Sequence, residues 1–126
     1  SAYTMLTMMQ NVITHGTGRR MVWGYGMEGV EIAGKTGTTN ENRDAWFMCV
    51  APKLAVGAWV GGEAQSVHLS SRGEGGVLAL PIVGEFLNRV YDDGTTGVSR
   101  SDLFPRPANA TTLNCTSTST LEQSIN

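Results

Sequence analysis

Apolar positions in the first stretch of the chain recur at helical spacing. Met5, Leu6, Met9, Val12 and Ile13 share one side of a 3.6-residue repeat, which predicts a helix over 3–14. Gly16 follows as a helix-ending residue. From Gly16 to Gly29, glycines break every short apolar run, and the stretch reads as an irregular connection carrying Arg19, Arg20 and Trp23. Three strands follow, at 31–38, 44–51 and 54–61. The second is almost continuously apolar, which predicts burial on both of its faces. Pro52-Lys53 is a tight-turn signal and 39–43 is an equally short connection, so the three strands form an antiparallel meander. Residues 62–76 are polar and glycine-rich and read as a loop. A second helix is predicted over 77–92, with Pro81 in its first turn, where no backbone N–H is needed. Its expected apolar face is Leu78, Ile82, Val83, Phe86, Leu87 and Val90. The fold class is α/β in the α+β sense: a three-stranded antiparallel meander with flanking N- and C-terminal helices.

Past Gly94 the periodicity collapses. Phe104-Pro105-Arg106-Pro107 is an extended segment, and 109–126 is dominated by Ser and Thr. The chain therefore divides into a packed portion, 1–94, and an extended, largely flexible tail, 95–126. Asn109-Ala110-Thr111 and Asn114-Cys115-Thr116 match the glycosylation pattern.

Composition narrows the class. The 126 residues are 40% hydrophobic and 16% charged, enough for one domain with a modest core. A net charge of −2 argues against non-specific nucleic-acid binding. No apolar run is long enough for a transmembrane helix, and no signal peptide is legible. With two Cys, two His and no C-x-x-C, no structural zinc site is expected. Cys49 reads as a small buried residue. A Cys49–Cys115 disulfide stays open in an oxidising compartment.

The candidate chemistry lies in Ile32-Ala33-Gly34-Lys35-Thr36-Gly37-Thr38-Thr39. Counted from Gly29, the segment fits G-x-x-x-x-G-K-[ST], the phosphate-binding loop. That loop needs glycines to wrap phosphate and a helix directly after it. Here the spacers Val30, Glu31, Ile32 and Ala33 are strand-like. Gly37, two β-branched threonines and Asn40 make a poor first helical turn. Counted from Lys35, the segment is K-T-G on a strand. Alternation puts Lys35 and Gly37 on one face and Thr36 and Thr38 on the other. Gly37 leaves room for a ligand close to the backbone, and a strand edge can pair with an extended peptide. A cation and hydroxyls beside such an edge suit a peptide ending in a carboxylate. Arg19 and Arg20 are candidates for anion binding or a solvated pair.

Gly34-Lys35-Thr36-Gly37-Thr38-Thr39-Asn40 is followed by Arg43-Asp44-Ala45-Trp46-Phe47 and by Val56-Gly57-Ala58-Trp59-Val60-Gly61. It is preceded by Gly16-Thr17-Gly18, and Ala79-Leu80-Pro81-Ile82 comes later. This series resembles the C-terminal part of the transpeptidase domain of class A penicillin-binding proteins, the bifunctional peptidoglycan synthases. The resemblance covers about 3–91 and is densest over 33–61. It implies a piece of the penicillin-binding transpeptidase/serine β-lactamase fold. It also implies an enzyme, when whole, that cross-links peptidoglycan stem peptides through a serine acyl-enzyme, needs no metal or organic cofactor and is trapped by β-lactams. By the same resemblance Lys35 supplies positive charge near the substrate carboxylate, and Thr36 and Thr38 hydrogen-bond that carboxylate. The Thr38 N–H is one of two oxyanion donors, Gly37 keeps the strand open to the acyl chain, and Thr39 completes the substrate-binding run. Asp44 and Trp46 are read as structural, a turn-closing carboxylate and a core aromatic.

The family's other elements are S-x-x-K and S-x-N. The two lysines are Lys35 and Lys53, and neither Ile32 nor Val50 three positions earlier is Ser, so S-x-x-K does not occur. Ser124-Ile125-Asn126 matches S-x-N only out of order. The chain alone is expected to be inactive, with the nucleophile in an upstream lobe. The implied setting is the periplasm or outer face of the cell membrane, with an anchor N-terminal to this chain. The implied partners are that lobe, stem peptides and β-lactams. Self-association through the unpaired edge of strand 54–61 is also expected. The alternatives are a serine β-lactamase or D,D-carboxypeptidase of the same superfamily, and a non-catalytic peptidoglycan- or partner-binding module.

Overall fold

A computed structural model describes residues 1–64, 66–69 and 74–109. Cys115, the Thr positions of both glycosylation patterns and the tail 110–126 lie outside the described residues, and with them the Cys49–Cys115 pairing.

Helix α1 (Ala2–Thr14) and a short helix α2 (Arg20–Tyr25) precede strand β1 (Ala33–Thr38). A single 3₁₀ turn (Asn40–Asn42) leads into β2 (Asp44–Ala51), and β3 (Leu54–Gly61) follows. Helices α3 (Gly75–Leu78) and α4 (Leu80–Asp92) close the order. The strands pair antiparallel in sequence order, so the expected meander and its flanking helices are present. β1 starts two residues later than the pattern predicts. Glu31 and Ile32 lead up to the strand without joining it.

The core lies between the helices and one face of the sheet. Phe47 and Cys49 from β2 meet Ile13, Met21, Leu80, Val83 and Leu87, all 2% exposed or less. Burying each large apolar side chain contributes about 1.5–3 kcal/mol, and these contacts fix the helices against the strands.

The differences from the sequence reading share one cause: local pattern does not show what a face meets. β2 is buried on one face only. Ala45, Phe47, Cys49 and Ala51 are buried, whereas Trp46 and Met48 are each 45% exposed. Trp46 is therefore no core aromatic. Its ring lies 6.4 Å from that of Trp59, tilted by 47°, on the open side. The stretch 16–29 is not wholly irregular. It contains α2, which stops at Gly26 in a left-handed conformation (φ 68°). A glycine that reads as loop composition is here a helix C-cap. The 77–92 helix is broken at Ala79 into α3 and α4, and the break resets the helical phase. Leu80, Val83, Leu87 and Tyr91 face the core, while Ile82 and Phe86 are exposed. In α1 only Thr7 and Ile13 are buried, and Met5 lies outside.

Residues 95–109 lie against the body at several points. The Lys53 ammonium donates to Gly97 O at 3.3 Å and sits 3.4 Å from Asp102 Oδ1. Arg100 pairs with Asp92, and the Phe104 N–H donates to Glu31 Oε2 at 2.7 Å.

Candidate functional site

Strand β1 borders one edge of the sheet, since β2 is its sole partner among the described residues. The register shows how its side chains divide. Directly opposed residues of an antiparallel pair point to the same face. Thr36 opposes Phe47 and Thr38 opposes Ala45, so both hydroxyls lie on the helix-covered side. Lys35 opposes Met48 and Gly37 opposes Trp46, so Lys35 starts from the open side. The alternation expected from sequence is present.

Backbone direction also alternates along a strand. The Thr39 N–H donates to Asp44 O at 3.0 Å, which points it at β2. The N–H groups of Thr36 and Thr38 therefore point away from β2, to the free edge. Thr36 O points the same way, and the Lys35 ammonium donates to it at 2.6 Å. Lys35 thus reaches round from the open face to the edge. One flank of that edge carries an ammonium and the other carries two hydroxyls.

On the hydroxyl flank is a cleft of about 550 Å³. Thr36 and Thr38 line it from β1, Thr17 from the connection after α1, and Arg19, Arg20 and Trp23 from the start of α2 and just before it. Glu74, Gly75 and Gly76 close the far side. Glycine is required at 75. A Cβ there would sit 2.1 Å from Trp46 O and 2.8 Å from Gly37 O, both backbone atoms that cannot yield. The absent side chain lets α3 press onto the strand pair, and the Gly75 N–H then donates to Thr38 Oγ1 at 3.2 Å.

The hydrogen-bond pattern sets what the cleft binds. Thr38 Oγ1 already accepts from Gly75, so its own proton is left to donate. Thr17 Oγ1 and Thr36 Oγ1 are 2.8 Å apart. One of the two protons in that pair is used between them, and the other remains. The cleft therefore offers hydroxyl donors beside two guanidinium groups, a surface suited to an oxygen anion. Among the described residues Glu74 is the one carboxylate in its lining.

Thr39 has a different task. Its hydroxyl accepts from the Asp44 N–H at 2.9 Å and donates to Asp44 Oδ2 at 3.3 Å. Asp44 Oδ1 accepts from Trp59 Nε1 at 2.9 Å. Asp44 closes the turn after β1, as its place in the sequence implies. Within that turn Glu41 (φ 64°) and Asn42 (φ 53°) are left-handed. The Leu69 N–H donates to Asn42 O at 2.8 Å and helps hold the turn shut.

Sequence reasoning did not single out Thr17 as a site residue, nor Trp23, Gly75 or Gly76. Only Gly16-Thr17-Gly18 carried a signal, as part of the resemblance. Among the described residues no group of His, Cys, Asp and Glu side chains is placed to hold a metal. No described helix is long and apolar enough to cross a membrane. Cys49 is buried, and burial pushes its thiol up to about 12, which leaves it unreactive at neutral pH.

No family model matches the chain. Curated relatives do. Penicillin-binding protein 1A of Pseudomonas aeruginosa is 43% identical over 82 residues, 65% of this chain and 10% of the relative. Penicillin-binding protein 1A of Rickettsia typhi is 36% identical over 93 residues, 74% of this chain and 11% of the relative. The protein of the same name from Neisseria gonorrhoeae is 37% identical over 82 residues, again 65% of this chain and 10% of the relative. The aligned part of the chain thus spans about a tenth of these relatives' length, yet it shares a third or more of the aligned positions with several of them. Together with the Lys35-Thr36-Gly37 strand on a free sheet edge, this places the chain in the class A penicillin-binding protein family, as a part of such a protein.

Proposed function

We propose that this chain forms one wall of a D,D-transpeptidase site, in a protein that cross-links peptidoglycan stem peptides at the outer face of the cell membrane. The observation that carries the reading is the free edge of β1, with the Lys35 ammonium on one flank and the Thr36 and Thr38 hydroxyls on the other. A donor peptide lies along this edge as an added strand. Its terminal carboxylate accepts hydrogen bonds from the Thr17/Thr36 hydroxyl pair and from the Thr38 hydroxyl. The outward Thr38 N–H meets the carbonyl oxygen as negative charge builds on it, and losing one such donor typically costs about 10²–10³ in rate. Gly37 keeps the strand low beneath the acyl chain. Lys35 works from the other flank, on the electrostatics of the acyl-transfer step. Thr39 and Asp44 keep the strand end and its turn in place.

The nucleophilic serine attacks the D-Ala-D-Ala carbonyl and D-Ala leaves. The acyl group then passes to an amine on a neighbouring strand. That serine and its lysine base belong to an upstream lobe that packs on the open face of the sheet, so the chain alone is inactive. The outer edge of β3, which has no partner among the described residues, offers a route to self-association when the lobe is absent. The experiment is labelling of the full-length parent with a fluorescent penicillin. A covalent adduct on a serine upstream of Ser1 is expected. A parent that never forms one removes the transpeptidase reading.

A further inference from the structure

The hydroxyls of the cleft are neutral, and the cation that the K-T-G motif contributes stands on the other flank of β1. The cleft nevertheless contains two positive charges of its own. Arg19 and Arg20 both line it. Arg20 is half-buried, and its guanidinium carbon lies 6.0 Å from the centre of the Trp23 ring. This orients the group against an aromatic face without neutralising it.

The other cations near the body are mostly paired. Arg43 is bound to Glu41, Lys53 to Asp102, Arg89 to Glu85 and Arg100 to Asp92. Arg19 and Arg20 have no carboxylate within ion-pair distance among the described residues, although Glu74 lines the same cleft. Two adjacent guanidinium groups repel each other. Keeping both on one wall, unpaired and facing hydroxyl donors, makes sense for a site whose counter-charge arrives with the ligand.

We propose that Arg19 and Arg20 are the charge-recognising residues of this cleft, drawing in and holding the terminal carboxylate of the peptide or β-lactam whose oxygens the threonine hydroxyls bind. Arg20 is the half-buried member, set against the Trp23 ring, and Arg19 is the exposed one. Lys35 is then free to serve the reacting carbonyl. This rests on the transpeptidase reading above and adds residues outside the K-T-G motif to it. It also predicts a preference for acids over their neutral derivatives that does not originate in Lys35.

The test compares the full-length protein with Arg19→Gln/Arg20→Gln and Arg19→Lys/Arg20→Lys versions. Each is reacted with benzylpenicillin and with its methyl ester, and acylation rates are read under pseudo-first-order conditions. In wild type the acid reacts faster than the ester. In the Gln pair the acid rate is expected to fall tenfold or more, while the ester rate stays within about twofold. The Lys pair, which keeps the charge, retains most of the acid preference. Raising salt from 50 to 500 mM shrinks the preference in wild type and leaves the Gln pair unchanged. An acid-to-ester ratio equal to wild type in the Gln pair overturns the proposal, as does an equal fall in both rates, which marks a purely structural role. A ratio lost in Lys35→Gln but kept in the Gln pair also overturns it. Those outcomes leave the transpeptidase reading standing. A wild-type protein that takes neither label overturns both.

Discussion

The two faces of the sheet are built from adjacent residues of the same strands and have opposite fates. On one face Ala45, Phe47 and Cys49 have no exposed surface, pressed beneath α1, α3 and α4. On the other, Trp46, Met48 and Trp59 are each close to half exposed, with a tilted pair of indoles as the main contact. The covered face is a finished core. The open face is as apolar as a core but has no cover among the described residues, which is the usual mark of a surface that meets another body. Strand β1 belongs to both: its threonines project into the cleft on the covered side, and Lys35 rises from the open side. A residue's face therefore matters more than its type in deciding what its removal does.

The largest test of this contrast is chemical. The Cys49 thiol is raised from 9.0 to about 12 by burial. A shift of about three units means about a thousandfold less thiolate at pH 8. Alkylation of the native chain by iodoacetamide at pH 8 is expected to be at least that much slower than in denaturant. The sign for stability follows. Folding holds the thiol neutral, so its contribution is fully present below the unfolded value and declines as pH rises from about 9 towards 12. A native Cys49 that reacts at the unfolded rate breaks the contrast.

Next in size is a matched pair of truncations. Phe47→Ala on the covered face is expected to cost about 3–5 kcal/mol in a urea titration. Met48→Ala, one residue away on the open face, is expected to cost less than about 1 kcal/mol. Equal costs would mean that the open face is covered in solution.

Smaller again is Gly75→Ala. Its Cβ would meet two backbone oxygens, so α3 must back away from β1 and β2. A loss of about 1–3 kcal/mol is expected. The amide proton at position 75 should also exchange faster than in wild type, since its bond to Thr38 Oγ1 lengthens. Unchanged exchange at position 75 would show that the cleft does not depend on this approach.

The smallest effect concerns the strap formed by 95–109. Asp102 is held below the usual carboxylate range, first by the Ser99 N–H and then by Lys53. A depressed carboxylate stabilises above its unfolded value, near 3.9, and that contribution fades as pH falls through the lower folded value. Below pH 4 the Ser99 amide resonance should move and its exchange quicken, while the Phe47 amide is unaffected. Simultaneous loss of both signals would make the strap part of the core.

Much of this was legible in the chain itself, because the relevant signals are local. The three strands, the turns between them and the α1 helix follow from period, glycine and proline within a few residues of each position. So does the division of Lys35 and Gly37 from Thr36 and Thr38, since a strand alternates whatever surrounds it. The K-T-G motif and its flanking residues carried the family. What only the tertiary structure decided is which surfaces meet. An apolar run such as Asp44–Ala51 reads the same whether one face or two are covered. The phase of α4 depended on a break at Ala79, and α2 was hidden by its short length and glycines. The cleft draws on three segments far apart in sequence: Thr17 to Trp23, Thr36 to Thr38 and Glu74 to Val77. No periodicity links these. Close packing at Gly75 and the hydrogen bonds of Thr36 and Thr38 bring them together, and these exist only once the helices have docked on the sheet.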